Sequence, residues 1–324
     1  MRIGIPRALL YYYYFPFWKA MFTYLGCEVV VSDETNAKII ADNSKVTVSE
    51  LCVPVKIFNG HVINLLEKEV DLVFVPRFVK MKGEFYCPKF MGITEIAKYS
   101  IKALDKKLLA VDITSTNDVI DKYADYLPVK EALGLSKPQL KSALKAGREQ
   151  FLKFRALCRE GYTVLEAYDA LEGKPVQKHG GQGEVKIALM GYVNNIYDNF
   201  VSMNIIEKLR STDCAVVTFD MLPEASLYGD RHKKQPFWVF ARKIYNASAQ
   251  LLKAGVPDGM IHLTAFGCGP DSVIGKLMEL DCEQAGVPFM TLRVDEHTGE
   301  SHVQTRLEAF IDMLKQAKRK ERKD

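Results

Sequence analysis

Short continuous apolar runs alternate with amphipathic stretches along most of the chain. Arg2–Pro6 reads as a strand and the aromatic-rich Leu9–Leu25 as a helix, with Pro16 placed to kink it. Glu28–Ser32 predicts a second strand and Lys45–Ser49 a short third. The stretch after Cys52 reads as a helix through about Glu67. Val70–Pro76 and Lys107–Ile113 are further apolar strands. Repeated strand–helix units with continuously apolar strands predict a parallel sheet covered on both faces.

Between Ser115 and about Gly173 the pattern changes. Lys137–Glu160 and Val164–Glu172 are long amphipathic helices with no strand signal between them, and the polar stretch Gly173–Glu184 reads as a linker. Strand–helix alternation then returns. Val185–Gly191, Ala215–Asp220, Met260–Phe266 and Phe289–Val294 are expected strands. Helical patterns follow them at about Asn195–Arg210, Pro236–Ala254, Ser272–Ala285 and Val303–Lys318. The expected class is α/β: two Rossmann-like domains with doubly wound parallel sheets, 1–114 and 184–324, joined by a helical bridge and linker at 115–183. The halves share this architecture without a sequence repeat.

Composition supports a soluble globular protein: 48% of the 324 residues are hydrophobic and 26% charged. No apolar run approaches the roughly 20 residues that span a bilayer, so no membrane role is expected. A strand begins at once after Met1, so no signal peptide is expected and the location reads as cytoplasmic. The net charge of +4 is modest, and much of the excess lies in Lys315–Lys323, a solvated helix end instead of a nucleic-acid surface. Seven scattered cysteines, none in a Cys-x-x-Cys pair, argue against a disulfide framework, a zinc ribbon or a ferredoxin motif. Any metal site has to be assembled from distant segments.

Three cysteines stand apart. Cys52 lies in Ser-Glu-Leu-Cys-Val-Pro-Val-Lys, Cys87 in Phe-Tyr-Cys-Pro-Lys, and Cys268 in Ala-Phe-Gly-Cys-Gly-Pro-Asp. Each is expected beyond the carboxyl end of a strand, the edge where open α/β sheets bind ligands, and each has a proline one or two residues on. Gly267 and Gly269 permit positive φ and close approach of a bound group. A helix N-terminus there favours thiolate, and soft thiolates suit an iron–sulfur cluster with one iron not ligated by cysteine. Ordinary half-buried loop cysteines, a zinc site or a catalytic thiol remain alternatives. Cys27, Cys158, Cys214 and Cys282 read as filler.

Asp295-Glu296-His297-Thr298-Gly299-Glu300 follows the last strand, and Glu296 and His297 are candidate proton donors or supports for the site. The alternative is a loop network in which Arg306 pairs with one of these carboxylates. His61 reads as a structural hydrogen-bonding residue. Gly269–Lys276 only mimics a phosphate loop: the glycine spacing is one residue too long and Leu277 stands where Ser or Thr would hold magnesium.

Several of these segments together resemble the acyl-CoA dehydratase activase-related proteins, relatives of the 2-hydroxyacyl-CoA dehydratase subunits and of the double-cubane cluster proteins. They are Ser49–Lys56 with Asn59-Gly-His-Val62, Cys87-Pro88, Phe266–Ser272, Asp295–Glu300 with Thr305–Phe310, and Gly191–Asp198. The resemblance implies a [4Fe-4S] cluster held by Cys52, Cys87 and Cys268 between the two domains, in an oxygen-sensitive, anaerobic setting. Its fourth iron would be open to a small ligand, or bridged by sulfide within a double-cubane [8Fe-9S] shared with a second subunit, identical or related. It also implies low-potential electrons from a separate ATP-hydrolysing activase of actin/Hsp70-like fold, since this sequence carries no ATP-binding portion of that kind.

Three functions therefore compete. The first is a dehydratase- or reductase-like component whose cluster acts on a small substrate. The second is an electron-transfer or assembly partner of another cluster protein, and the third a metal-free thiol enzyme or small-molecule binder.

Overall fold

The computed structural model describes residues 1–48, 50–177, 182–229, 235–295 and 298–321. The chain divides into two compact units, Met1–Arg155 with Phe237–Val239, and Ala156–Pro236 with Phe240–Asp324.

The first unit is built on strands β1 (Arg2–Ile5), β2 (Glu28–Val31), β3 (Leu72–Phe78) and, after the antiparallel hairpin β4 (Lys80–Met81) and β5 (Glu84–Phe85), β6 (Leu108–Ile113). The four long strands form one parallel sheet in the order β2-β1-β3-β6. Its helices are α1 (Tyr11–Tyr24), α2 (Ala37–Ser44), α3 (Val53–Glu67), α4 (Pro88–Met91), α5 (Ile93–Ser100) and α6 (Leu127–Ala132), with α7 (Lys137–Arg159) running across the division between the units. The aromatic run of α1 is core: Tyr13, Tyr14, Phe17, Trp18 and Phe22 are fully buried. Tyr14 stacks on Phe78 and Phe151, and Trp18 meets Phe74 edge-on. Pro16 sits inside an unbroken helix.

Lys45–Ser49, expected as a strand, is not one over its described residues. The N–H groups of Val46 and Thr47 both donate to the carbonyl of Asn43, which turns the chain off the end of α2. Asn43 also accepts from the Thr47 hydroxyl, and Thr47 from the Asn59 amide. The Asn59-Gly60-His61 motif is thus an anchor. A Cβ on Gly60 would stand 2.3 Å from the Ile39 carbonyl oxygen, so only glycine lets α2 and α3 approach this closely. His61 is fully buried, with Nδ1 2.9 Å from the Ser32 hydroxyl and Nε2 3.0 Å from that of Thr35, the structural role expected of it.

The second unit repeats the plan. Strands β7 (Val185–Met190), β8 (Cys214–Thr218), β9 (Gly259–Ala265) and β10 (Phe289–Val294) form a parallel sheet in the order β10-β9-β7-β8. In each sheet the first strand is central, the second lies at an edge, and the third and fourth follow on the other side. Helix α8 (Val164–Leu171) precedes the sheet, opened by a Thr163–Glu166 capping box. The expected helix Asn195–Arg210 is instead α9 (Val193–Tyr197), α10 (Asn199–Ser202) and α11 (Ile205–Ser211). Met203 and Asn204 both take left-handed φ, 53° and 55°, which no continuous helix accommodates. The Tyr197 phenol donates to the buried Asp220 carboxylate at 2.8 Å, pinning α9 to the chain beyond β8. Helices α12 (Val239–Lys253), α13 (Gly269–Ala285) and α14 (Glu300–Glu321) complete the unit. No helix among the described residues is long and apolar enough to cross a membrane.

Burial, more than the Arg7 charge, holds the His61 pKa down from 6.5 to about 3. The folded state keeps the ring neutral, so below pH 6.5 the unfolded chain binds a proton that the folded one refuses. Stability then falls as pH drops, by roughly 1.4 kcal/mol per pH unit, until about pH 3. Urea unfolding between pH 6.5 and 4.5, above the carboxylate range, should show this loss, and His61→Gln should flatten it while lowering stability at pH 7. Parallel pH profiles for the two proteins would contradict the assignment.

Candidate metal centre

All three singled-out cysteines occupy one kind of backbone position. Cys52 is the N-cap of α3, Cys87 of α4 and Cys268 of α13, each in extended conformation, with φ/ψ of −68°/150°, −64°/153° and −88°/100°. Each helix has proline in its first turn: Pro54, Pro88 and Pro270. Proline is tolerated there because the first-turn N–H groups have no intrahelical partner, and it disfavours helix at the preceding residue, which is Cys87 itself in α4.

Cys52 and Cys87 belong to the first unit and are brought together there. Cys52 is buried and Cys87 half-buried. Burial is the largest influence on both and pushes each thiol above its ordinary pKa. On Cys52 the Lys89 charge and then the Val55 N–H act in the opposite direction. On Cys87 the Phe90 N–H opposes burial, while the neighbouring Cys52 sulfur adds to it. Neither sulfur accepts a capping hydrogen bond; the Val55 and Phe90 N–H groups donate to the Cys52 and Cys87 carbonyls, both at 3.0 Å, and act on the sulfurs at longer range.

Cys268 belongs to the second unit. Gly267 has φ of +76°, the turn that releases the chain from β9. Gly269 differs from the expectation: its φ is helical and a Cβ there would meet nothing within 4 Å, so its contribution is open space beside the cysteine, not backbone freedom. Phe266, one residue before Gly267, is 61% exposed. Below this turn lies a feature that the sequence reading missed. His262 of β9 and Asp271 of α13 are fully buried, with Nε2 2.9 Å from Oδ1. A Cβ on Gly275 would lie 2.7 Å from His262 Nδ1. The glycine of the false phosphate loop thus makes room for an imidazole that fastens the first turn of α13 to the sheet. A histidine in the middle of an otherwise apolar strand was the available signal.

Glu296 and His297 lie outside the described residues. Arg306 donates to the Thr291 carbonyl at 2.9 Å, tying α14 to β10 through the backbone. Cys158, Cys214 and Cys282 are buried, and Cys282 packs against the Met260 sulfur. Among the described residues no group of three or more His, Cys, Asp or Glu side chains is gathered as a metal site. What the first unit offers is a pair of soft donors at two helix N-termini, a set that suits iron in a sulfide cluster better than a hard cation.

Comparison with known families covers almost all of this frame. The model of the CoA enzyme activase uncharacterised domain matches residues 2–222, and that of the 2-hydroxyglutaryl-CoA dehydratase D-component matches residues 140–314. The chain belongs to the activase-related 2-hydroxyacyl-CoA dehydratase family. The two matches overlap over residues 140–222, so this family member joins both descriptions in one chain. A search of curated proteins finds no match. Among solved structures, the dimeric Lac repressor with an 11-residue C-terminal deletion aligns at 11% identity and a TM-score of 0.23, over 90% of this chain and 77% of that one. Tagatose-6-phosphate ketose/aldose isomerase from Escherichia coli aligns at 10% and 0.21, over 97% and 80%.

Two expectations follow from this geometry. With pKa values raised above 9.0, Cys52 and Cys87 of the metal-free chain should alkylate slowly at pH 7. Their rates should still climb above pH 9, as followed by mass spectrometry. Rapid labelling at neutral pH would instead mark an activated nucleophile. Gly275→Ala should cost about 1–2 kcal/mol in urea unfolding, because the clash with a locked imidazole outweighs the gain of alanine in a helix. Unchanged or increased stability would show that His262 is free to move.

Proposed function

We propose that the chain is an iron–sulfur component of a 2-hydroxyacyl-CoA dehydratase-type system. In this reading each unit is a Rossmann-like domain, and Cys52 and Cys87 of the first unit and Cys268 of the second supply the ligands of a [4Fe-4S] cluster. The observation that carries it is the shared backbone position of the three cysteines, N-cap with proline in the first turn, in a chain whose family is described by CoA enzyme activase and dehydratase domains.

When bound, such a cluster supplies low-potential one-electron chemistry and an iron able to polarise a small ligand. The chain's own residues do the rest. Three thiols give up protons on metal uptake and become ligands. First-turn N–H groups, of Val55 near Cys52 and of Phe90 near Cys87, favour the charged form of the sulfurs. Gly269 leaves space beside Cys268. Glu296 and His297 are the candidate proton donors after β10. ATP hydrolysis comes in this reading from a separate activase of actin/Hsp70-like fold. A second subunit, identical or related, would supply the other cysteines of a double-cubane [8Fe-9S].

The raised thiol pKa values count against the thiol-enzyme alternative, which needs a ready thiolate at neutral pH. Anaerobic reconstitution with iron and sulfide, followed by iron counting and absorbance near 400 nm, tests the assignment. Cys52→Ala, Cys87→Ala and Cys268→Ala should each lose most of the iron, while Cys282→Ala should retain it. A wild-type chain holding less than about one iron, or a Cys268→Ala variant with full iron content, would refute it.

A further inference from the structure

Lys89 is the second residue of α4, which is capped by Cys87, and it is half-buried. Nζ reaches back to the Glu50 carbonyl at 3.3 Å, two residues before Cys52. One side chain thus joins the two segments that carry the paired cysteines. The same charge is felt at both sulfurs. Lys56, on the first turn of α3, acts on Cys52 less than Lys89 does.

The segment before Cys52 is fastened at both ends. It leaves α2 by a turn and is held from behind by the Asn43–Thr47–Asn59 chain of hydrogen bonds. On the side of Cys87, Lys89 ties it through the Glu50 carbonyl. A cation beside two sulfur ligands also has a definite electrical consequence. Adding an electron makes the centre more negative, and a nearby positive charge stabilises that state.

We propose that Lys89 is a positioning residue of the metal centre: it clips the Cys52 segment to the Cys87 helix and places a positive charge beside both ligands, which raises the centre's reduction potential. The electrical half rests on the cluster reading above; the clip does not.

Two measurements on the full chain test it. In metal-free protein, Lys89→Met should speed hydrogen exchange at the amides of Val46, Thr47 and Leu51 by at least about threefold, the scale of one lost hydrogen bond. In anaerobically reconstituted protein, a dithionite titration followed by electron paramagnetic resonance should give a more negative midpoint for Lys89→Met. Lys89→Arg should restore both values, and Lys56→Met should shift the midpoint less. If Lys89→Met retains too little iron to titrate, Lys89→Gln, a donor without charge, takes its place for the potential. Wild-type exchange rates in Lys89→Met, or a wild-type midpoint in the uncharged variant, would overturn the proposal. A wild-type chain that takes up no iron would refute the cluster reading instead, leaving the exchange measurement to decide the clip.

Discussion

Parallel pairing is the constraint on which everything else here depends. Two neighbouring parallel strands cannot be joined by a tight turn, so the chain must cross back over the sheet, usually through a helix, before adding the next strand. Every crossover helix therefore begins at the edge where strands end. That edge gathers unpaired N–H groups from several helices, and a residue placed at the N-cap position meets them without distortion. The N-cap cysteines exploit a property that the sheet imposes, not one that they create.

The two sheets have the same strand order about a central first strand, although no repeat is visible in the sequence. Seen this way, Cys87 and Cys268 are counterparts: each caps the helix that follows the third strand of its sheet. The correspondence does not extend to Cys52. It caps the crossover helix leading into the third strand, and the equivalent helix α12 begins at Val239 with Trp238 before it. The first unit thus carries two of these N-cap thiols and the second one. The helix-capping aspartate Asp198 and the left-handed pair Met203–Asn204 mark a further difference, since the second unit breaks its first helical segment where the first unit runs α1 unbroken through Pro16.

Much of this was legible from residue order alone. Continuous apolar runs marked the long strands to within two residues, because buried parallel strands need apolar side chains on both faces. The failures have local causes. Val46 and Thr47 have strand-forming side chains, yet Asn43 captures both of their N–H groups, a competition that periodicity does not register. The Asn195–Arg210 stretch keeps helical periodicity through two left-handed residues. Gly275 looked like a fragment of a phosphate loop because its partner, His262, lies thirteen positions away across a strand–helix turn. Cys52, Cys87 and Cys268 could be singled out by flanking prolines, but Lys89 could not be, since a lysine after Cys-Pro says nothing about which carbonyl it will reach.

The burial of Cys52 has a consequence for how the thiols meet an oxidising solution. Thiolate, not thiol, is the form that attacks disulfides and reacts with oxygen species. Two sulfurs near one another would ordinarily be prone to join, but here each is kept protonated by its surroundings at neutral pH. The chain is consequently slow to oxidise at these positions, and the same desolvation that makes the two thiols poor nucleophiles keeps them reduced for longer.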